Sequence, residues 1–291
     1  MAACIQQSGT RARNESRGDA KGELTVLYGQ EKAFGETDWR RRLGYQMFGE
    51  IHVPGRLRIW HVIKELRRLG LWKPRPLTVL DAGGGEGSFC YYMARRFPEW
   101  RVVLGDNAAS TLEKAAAIRK ALHLENLELR EMDLLDLGEH DTYDAVVCSD
   151  VLEHIEEDQR VVTNLAAALK PGGFLIVTSP SVPQPKHLPL VAWREKRIGF
   201  TPEDYGHVRQ GYSEADLERV FTEAGLETEK TLRTFGPFGT LMFDIFFVTG
   251  DSRPNPLVFA ALFPFYLGLS TLDLVIPSKK GAAILGVGKK P

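Results

Sequence analysis

Four glycines fall within five positions in the stretch VLDAGGGEGSF, residues 79–89, directly after an apolar run that ends at Asp81. Glycine loses more conformational freedom on folding than any other residue, so such a cluster indicates a tight turn or a close approach of the backbone to a ligand. The following residues, SFCYYMARRF, have the apolar spacing of a helix. A strand, a glycine turn and a helix in this order are typical of nucleotide-binding α/β folds.

Strand and helix patterns alternate along the rest of the chain. The predicted strands after LTVLD are RVVLGD, NLELREMD (126–133), YDAVVCSD and FLIVTSP, and LKPGG is predicted to end a helix over 157–169. Ser213 and Asp216 have the spacing of a capping box at the start of a later helix. Strands and helices that alternate at this pace predict βαβ units and a parallel, doubly wound sheet.

The composition limits the classes of partner and compartment. A chain of 291 residues with 43% hydrophobic residues can bury a sizeable core, and a net charge of −1 argues against a nucleic-acid binder with a basic face. Cys4, Cys90 and Cys148 have neither disulfide nor metal-ligand spacing, so they are interpreted as reduced and the protein as cytoplasmic.

The first 22 residues are polar and contain no apolar run. They predict a disordered tail rather than a signal peptide, with three arginines that leave an organelle-targeting segment as the alternative.

The glycine turn lies where parallel sheets bind ligands, beyond the carboxyl ends of the strands. A nicotinamide dinucleotide site would need a third glycine where Ser88 stands, and its pyrophosphate would be repelled by the carboxylate of Glu86 within the loop. A cationic ligand without phosphate meets neither difficulty. S-adenosylmethionine, with its sulfonium and ammonium groups, is such a ligand.

The chain resembles the class I S-adenosylmethionine-dependent methyltransferases, in the branch that includes the ubiquinone and menaquinone methyltransferases. The resemblance covers residues 77–232 and rests on five segments in order, which are DAGGGEG, LGDNAAS, REMDLLDL, YDAVVCSDVLEHI and LKPGGFLIVTSP. GHVRQGYSEADLERVFTEAGLE resembles a further segment common in that branch. The resemblance implies a Rossmann-like sheet of seven strands that ends in a hairpin of strands six and seven.

The resemblance also implies a set of cofactor-binding residues. Asp106 would hold the ribose hydroxyls, Asp133 the adenine amino group, and Leu134 the face of the adenine ring, with Asp136 as an alternative to Asp133. A carboxylate at a strand end can accept two hydroxyl hydrogen bonds, each contributing about 1.5–3 kcal/mol. The complete predicted set consists of Asp81, Gly83, Gly85, Gly87, Asp106, Asn107, Asp133, Leu134 and Ser149.

Methyl transfer from a sulfonium is an in-line displacement, in which alignment of the reactants supplies much of the catalysis. A base is required only if the acceptor must lose a proton, and His154 and His207 are the predicted candidates. Each has an alternative role, as a hydrogen-bonding group at a helix start or in a loop. Asp150, Glu153 and His154 are too closely spaced in sequence to form a typical metal site alone, so no metal is predicted.

Two other functions remain open at this stage. The first is a binding protein that holds the cofactor without transferring a methyl group, which the intact glycine motif and acidic positions argue against. The second is a nicotinamide-dependent oxidoreductase, which Glu86 and Ser88 disfavour.

About 45 residues separate the predicted strands six (LETEKTLRTF) and seven (GAAILGVGKK), and much of this insert is apolar. Residues 257–276 could span a bilayer by length, but Pro264, Asp273 and the return of the chain to the sheet favour an apolar cap or interfacial element. The insert predicts a small lipophilic or lipid-like acceptor. Contact with a membrane surface and homodimerisation are the two expected uses of its remaining apolar surface.

The segment before the first strand is basic, with ten Lys and Arg against three acids from Asp38 to Arg75. Such a segment favours an anionic membrane surface or a phosphorylated substrate, with an ordinary solvated helix face as the alternative. The chain is therefore divided into a tail at 1–22, a helical lid at 23–76, a cofactor-binding core at 77–180, and substrate-side loops, strands and apolar cap at 181–291.

Overall fold

The computed structural model describes residues 28–198, 206–250 and 255–291; the predicted tail and Cys4 lie outside these ranges. The strands are β1 Leu77–Ala82, β2 Trp100–Asp106, β3 Leu127–Glu131, β4 Tyr143–Ser149, β5 Leu169–Pro180, β6 Glu227–Thr234 and β7 Ala283–Lys289. The helices in these ranges are α1 Trp39–Phe48, α2 Val53–Arg68, α3 Ser88–Arg96, α4 Ala109–Ala121, α5 Asp158–Ala168, α6 Pro189–Ile198, α7 Glu214–Glu223, α8 Pro237–Thr249 and α9 Pro256–Val275.

The seven strands form one sheet in the order β3-β2-β1-β4-β5-β7-β6. Strands β1 to β5 pair in parallel, whereas β7 pairs antiparallel with both β5 and β6. The predicted seven-stranded α/β sheet with a terminal hairpin is therefore confirmed. All parallel strands end at the same edge, where the glycine turn after β1 also lies.

Helices cover both faces of the sheet because successive side chains of a buried strand point to opposite sides. Val79 of β1 packs in the cluster formed with α2, α3 and α4, and the next residue, Leu80, packs in the cluster formed with α5 and α7. Helix α7 begins with the capping box of Ser213 and Asp216, as predicted.

The start of β5 differs from the sequence prediction. LKPGG was expected to end a helix, but α5 already ends at Ala168 and β5 begins at Leu169. Leu169 pairs with Tyr143 before a register shift, and Gly172 has a φ of +78°. The Pro-Gly-Gly segment thus lies within an irregular strand, and the amide of Gly172 donates to the carbonyl of Lys290 at 2.9 Å.

Helices α8 and α9 form a hairpin between β6 and β7, at the position of the predicted insert. The hairpin packs on α2 in a third apolar cluster that includes Val53, Leu57, Met242, Phe259 and Phe263. Among the described residues, α9 is the helix long and apolar enough to cross a membrane, by length and composition. Its buried side chains instead join the hairpin to the rest of the protein.

Candidate functional site

A pocket of about 260 Å³ opens at the carboxyl ends of β1 and β4. The glycine turn forms one wall, and the first half of α2 forms the opposite one. Sequence-predicted residues and unpredicted ones share the lining, which includes Tyr28, Lys32, Glu50, His52, Arg58, Asp81, Gly83, Gly87, Ser149 and Asp150.

The glycines of the turn serve two different purposes. Gly83 has a φ of +70°, and a Cβ there would lie 2.6 Å from Cγ2 of Val151, so no side chain fits. Gly85 has a φ of +54°, and a Cβ there would meet nothing within 4 Å. The position of Gly85 is fixed by a hydrogen bond, in which its amide donates to Oδ2 of Asp106 at 2.9 Å. The clash at Gly83 is with the chain itself and reflects close packing against Val151, whereas the open space beside Gly85 is compatible with a close approach of a ligand to the backbone.

Asp81 is buried at the end of β1, where the thiol of Cys90 donates to its Oδ2 at 3.4 Å. Burial, together with the nearby charge of Asp106, raises the pKa of Asp81 to about 7. Burial also raises the pKa of Cys90 well above its usual value, so this thiol stays protonated as a donor. The site therefore holds a carboxyl group whose ionisation a cationic ligand would favour.

The other predicted cofactor residues follow the same edge of the sheet. At the end of β2, the two carboxylate oxygens of Asp106 accept from the amides of Gly85 and Ala108, both at 2.9 Å, and further lone pairs remain for ribose hydroxyls. Asn107 is exposed beside it. Ser149, at the end of β4, lines the pocket and shares a 2.7 Å hydrogen bond with Thr178.

Asp133 and Leu134 lie farther along this edge, after β3. Asp133 is exposed and uses one oxygen to accept the amide of Leu135 at 2.9 Å, whereas Leu134 is buried. Neither residue lines the pocket, which covers the part of the edge nearest β1 and β4. The contacts of Asp133 and Leu134 with adenine therefore remain predictions from the resemblance.

Lys32 and Glu50 were missed by the sequence analysis. Lys32, in a short 3₁₀ turn, pairs with Glu50 at 2.8 Å and with Glu86 of the glycine loop at 2.7 Å. These two carboxylates raise the pKa of Lys32, although its burial acts in the opposite direction. Lys32, a residue from the predicted lid, offsets only part of the charge of Glu86 that had argued against a pyrophosphate, because its single ammonium also pairs with Glu50.

Arg58 of α2 was also missed. It pairs with Asp150, a residue with a φ of +55° directly after β4. The other carboxylate oxygen of Asp150 is buried and has no hydrogen-bond partner among the described residues. His52, Gly55 and Arg58 lie one helical turn apart on one face, a spacing that could have revealed this wall.

The pocket fits the expected ligand. The open space beside Gly85 leaves room for a ligand, Asp81 and Asp150 offer carboxyl groups to an ammonium, and Arg58 offers a guanidinium to a carboxylate. S-adenosylmethionine carries each of these groups, so Asp81, Gly85, Arg58 and Asp106 are the residues that would hold it.

His154 and His207 come together although 53 positions separate them in the sequence. Their rings lie 4.7 Å apart in an edge-to-face arrangement, and Nδ1 of His154 lies 3.1 Å from the carbonyl oxygen of Gly206. Glu153 is buried beside them, and burial with the charge of Asp150 raises its pKa to about 8. His154 lies in the connection after β4 that also carries Asp150 of the pocket, and His207 reaches it from the loop before α7.

One ligand atom from each of Glu153, His154 and His207 lies within 4.8 Å of the others, so this group could hold a metal ion. The spacing of Asp150, Glu153 and His154 alone had suggested no metal. His207 is distant in sequence from the "LEHI" residues and joins them only because the folded chain brings its loop to the end of β4.

Comparison with known proteins gives a consistent result. Residues 52–231 match the family of methyltransferase domains. The chain is 22% identical over 183 residues to a ubiquinone biosynthesis O-methyltransferase of Rickettsia canadensis, which covers 63% of this chain and 76% of that protein. A protein of the same name from Neisseria meningitidis serogroup C is 29% identical over 161 residues, 54% of this chain and 66% of the relative.

Among solved structures, a protein assigned as a sarcosine dimethylglycine methyltransferase from Galdieria sulphuraria superposes with a TM-score of 0.55 at 17% identity. The match covers 87% of this chain and 98% of that one. At this identity the likeness shows the fold alone.

Proposed function

The chain belongs to the family of methyltransferase domains and is a class I S-adenosylmethionine-dependent methyltransferase, and from this premise we propose that it methylates a hydroxyl group of a small apolar acceptor. The nicotinamide oxidoreductase and the non-catalytic binding protein are thereby set aside. Both curated relatives are named O-methyltransferases of ubiquinone biosynthesis, which supports an oxygen acceptor.

The observation that carries the apolar acceptor is the position of the α8–α9 hairpin. The ring of Phe246 in α8 lies 5.7 Å from His52, and Phe235, just before α8, lies beneath the guanidinium of Arg58 at 5.4 Å. His52 and Arg58 both line the cofactor pocket. Phe235 and Phe246 are themselves buried, so the apolar interior of the hairpin packs directly behind this wall of the pocket.

The cofactor and the protein each supply part of the chemistry of methyl transfer. S-adenosylmethionine supplies a methyl group bound to a positively charged sulfur. Asp81 and Asp106 would hold and orient the bound cofactor, and the apolar hairpin would exclude water from the approach of the acceptor. Either His154 or His207 accepts the proton of the acceptor hydroxyl, because a neutral hydroxyl is a weaker nucleophile than its anion.

Radiolabelled methyl transfer into a lipid extract and into a water-soluble extract of cells tests the acceptor class. We expect the label in the lipid extract. His154→Ala or His207→Ala should lower turnover while leaving the affinity for S-adenosylhomocysteine unchanged, because neither ring forms the cofactor pocket. His140→Ala, an exposed histidine before β4, is the matched control and should keep full turnover.

Label confined to water-soluble products would contradict the apolar acceptor. Full turnover in both histidine variants would show that neither ring is catalytic. Dialysis against a chelator before the assay separates proton acceptance from metal binding by Glu153, His154 and His207, because a metal-dependent enzyme would lose its turnover and regain it on addition of a divalent cation.

A further inference from the structure

The outer face of α9 is apolar and exposed. Its large exposed side chains are Leu257, Val258, Phe265, Leu272, Val275 and Ile276, with Leu257 81% and Val275 72% exposed. They lie at helical spacing on one side, whereas Phe259, Phe263 and Tyr266 are buried on the other. We call these six exposed residues and the small residues between them the α9 face.

A helix that is apolar on all sides normally lies inside a protein or in a membrane. Here only 33% of the most apolar stretch of α9 is buried. The exposed positions of α9 carry no charged side chain, and its one acid, Asp273, is buried against His61 at 3.0 Å. The α9 face therefore leaves a contiguous apolar surface without a partner within the described chain.

A groove of about 340 Å³ borders the carboxyl end of this face. It lies between α2, α3 and α9, and its walls are Trp60, Ile63, Tyr92 and Leu274 with the cations Lys64 and Arg67. Nζ of Lys64 donates to the carbonyl oxygen of Leu274 at 2.6 Å, which places an exposed ammonium at the end of α9. Aromatic walls with lysine and arginine at their edge are typical of the boundary between lipid headgroups and acyl chains.

The charge of the neighbouring segment, from Asp38 to Arg75, indicates which kind of partner contacts the α9 face. Eight of the ten Lys and Arg between Asp38 and Arg75 are exposed, whereas two of the three acids, Glu50 and Glu65, are buried. Glu50 pairs with Lys32, and Glu65 pairs with Lys230 and Arg68. Arg68 is thus offset by Glu65, whereas Lys64 and Arg67 are exposed at the groove beside α9.

We propose that the α9 face docks on an anionic lipid surface, with Lys64 and Arg67 against the lipid phosphates. A two-fold dimer through the same face would bring the cations of both copies to the rim of one contact with few exposed acids to balance them. Spanning is disfavoured because the buried side of α9 packs on α2 and α8. This inference depends on the surface and not on the identity of the methyl acceptor.

Co-sedimentation of the full chain with vesicles tests the proposal. Vesicles of phosphatidylcholine are compared with vesicles that also contain phosphatidylglycerol, at low and at high salt. We expect binding only to the anionic vesicles and release by high salt, because exposed charges are screened.

Two double variants locate the surface. Phe265→Glu with Leu272→Glu changes the α9 face, and Lys64→Gln with Arg67→Gln changes the cations; each should weaken vesicle binding at least tenfold. The matched controls are Ala116→Glu with Ala117→Glu on the exposed side of α4, and Lys120→Gln with Arg219→Gln on α4 and α7. Affinity for S-adenosylhomocysteine shows that every variant is folded.

Three results would overturn the proposal. The first is equal sedimentation with neutral and anionic vesicles, or none with either. The second is vesicle binding that both surface variants retain. The third is a dimer that Phe265→Glu with Leu272→Glu dissociates in the ultracentrifuge while the wild-type chain ignores vesicles. Vesicle binding without methylation of lipids would leave this inference standing and contradict only the proposed acceptor.

Discussion

At the residue scale, the buried carboxyl of Asp81, a predicted cofactor contact, carries a cost to folding. Its carboxyl is buried, and its pKa is raised from 3.8 to about 7. The folded chain therefore binds a proton at Asp81 more tightly than the unfolded chain does. The free energy of unfolding falls as the pH rises from about 4 to about 7, because the unfolded chain ionises this group first.

We expect Asp81→Asn to remove this pH dependence. Urea denaturation across the pH range should show the variant gaining stability relative to the wild-type chain as the pH rises toward 7. Affinity for S-adenosylhomocysteine should fall in the variant, and in the wild-type chain it should fall as the pH drops below 7, because the ligand's ammonium prefers an ionised carboxylate. Glu125→Gln, at an exposed carboxylate, is the control; parallel pH profiles for wild type and Asp81→Asn would contradict the prediction.

At the scale of elements, a polar contact joins α2, α8 and α9 within an otherwise apolar interface. Oδ2 of Asp273 lies 3.0 Å from Nε2 of His61, and its Oδ1 accepts the amide of Gly239 at 2.9 Å. Asp273 was noted in the sequence only as a charge unsuited to a membrane span. In the folded chain it lies on the buried side of α9, in contact with His61 of α2 and Gly239 of α8.

Asp273→Ala should lower the free energy of unfolding by about 3 kcal/mol, because two buried donors lose their acceptor. Ser270→Ala, three residues earlier on the same helix, is the matched control. Its buried hydroxyl has no hydrogen-bond partner in the part of the chain that the structure describes, so its removal should cost little. Equal losses in urea denaturation for the two variants would show that the contact does not stabilise the hairpin.

At the scale of the whole molecule, the cofactor pocket joins segments that lie far apart in the chain. Residues before α1, the first half of α2, the glycine turn and the end of β4 all line it. A ligand that binds only the folded arrangement stabilises all of these segments together. The assignment to methyltransferases therefore has a consequence for thermal unfolding as well as for activity.

S-adenosylhomocysteine at a hundredfold excess over its Kd should stabilise the chain by about 2.7 kcal/mol, which raises the Tm by roughly 5 °C. Asp106→Ala, with affinity weakened at least tenfold, should gain at most about 1.4 kcal/mol at the same concentration. NADH should leave the Tm unchanged. Equal Tm shifts in the wild-type chain and Asp106→Ala would remove Asp106 from the binding site.

The sheet, the glycine turn and the approximate line of predicted ligand-binding residues could be inferred from the sequence alone. These features depend on local patterns: the alternation of strands and helices, the positive φ that Gly83 requires, and the acidic residue at the end of β2. The same patterns placed Ser213 at a helix start and separated the insert from the core. The residues that make up each of these patterns lie close together in the sequence or in one motif. The patterns can therefore be recognised without knowledge of the fold.

The contacts between distant segments depend on the tertiary structure and could not be inferred from local patterns. Lys32 reaches Glu86 and His154 reaches His207 because the lid and the loop after α6 fold onto the same edge of the sheet. The outer side of α9 could not be identified from its sequence, since both sides are apolar and periodicity distinguishes them only when one side is polar. The side that faces inward is the one that carries Asp273, in contact with His61 from 212 positions away, and the apolar side chains packed on α2 and α8.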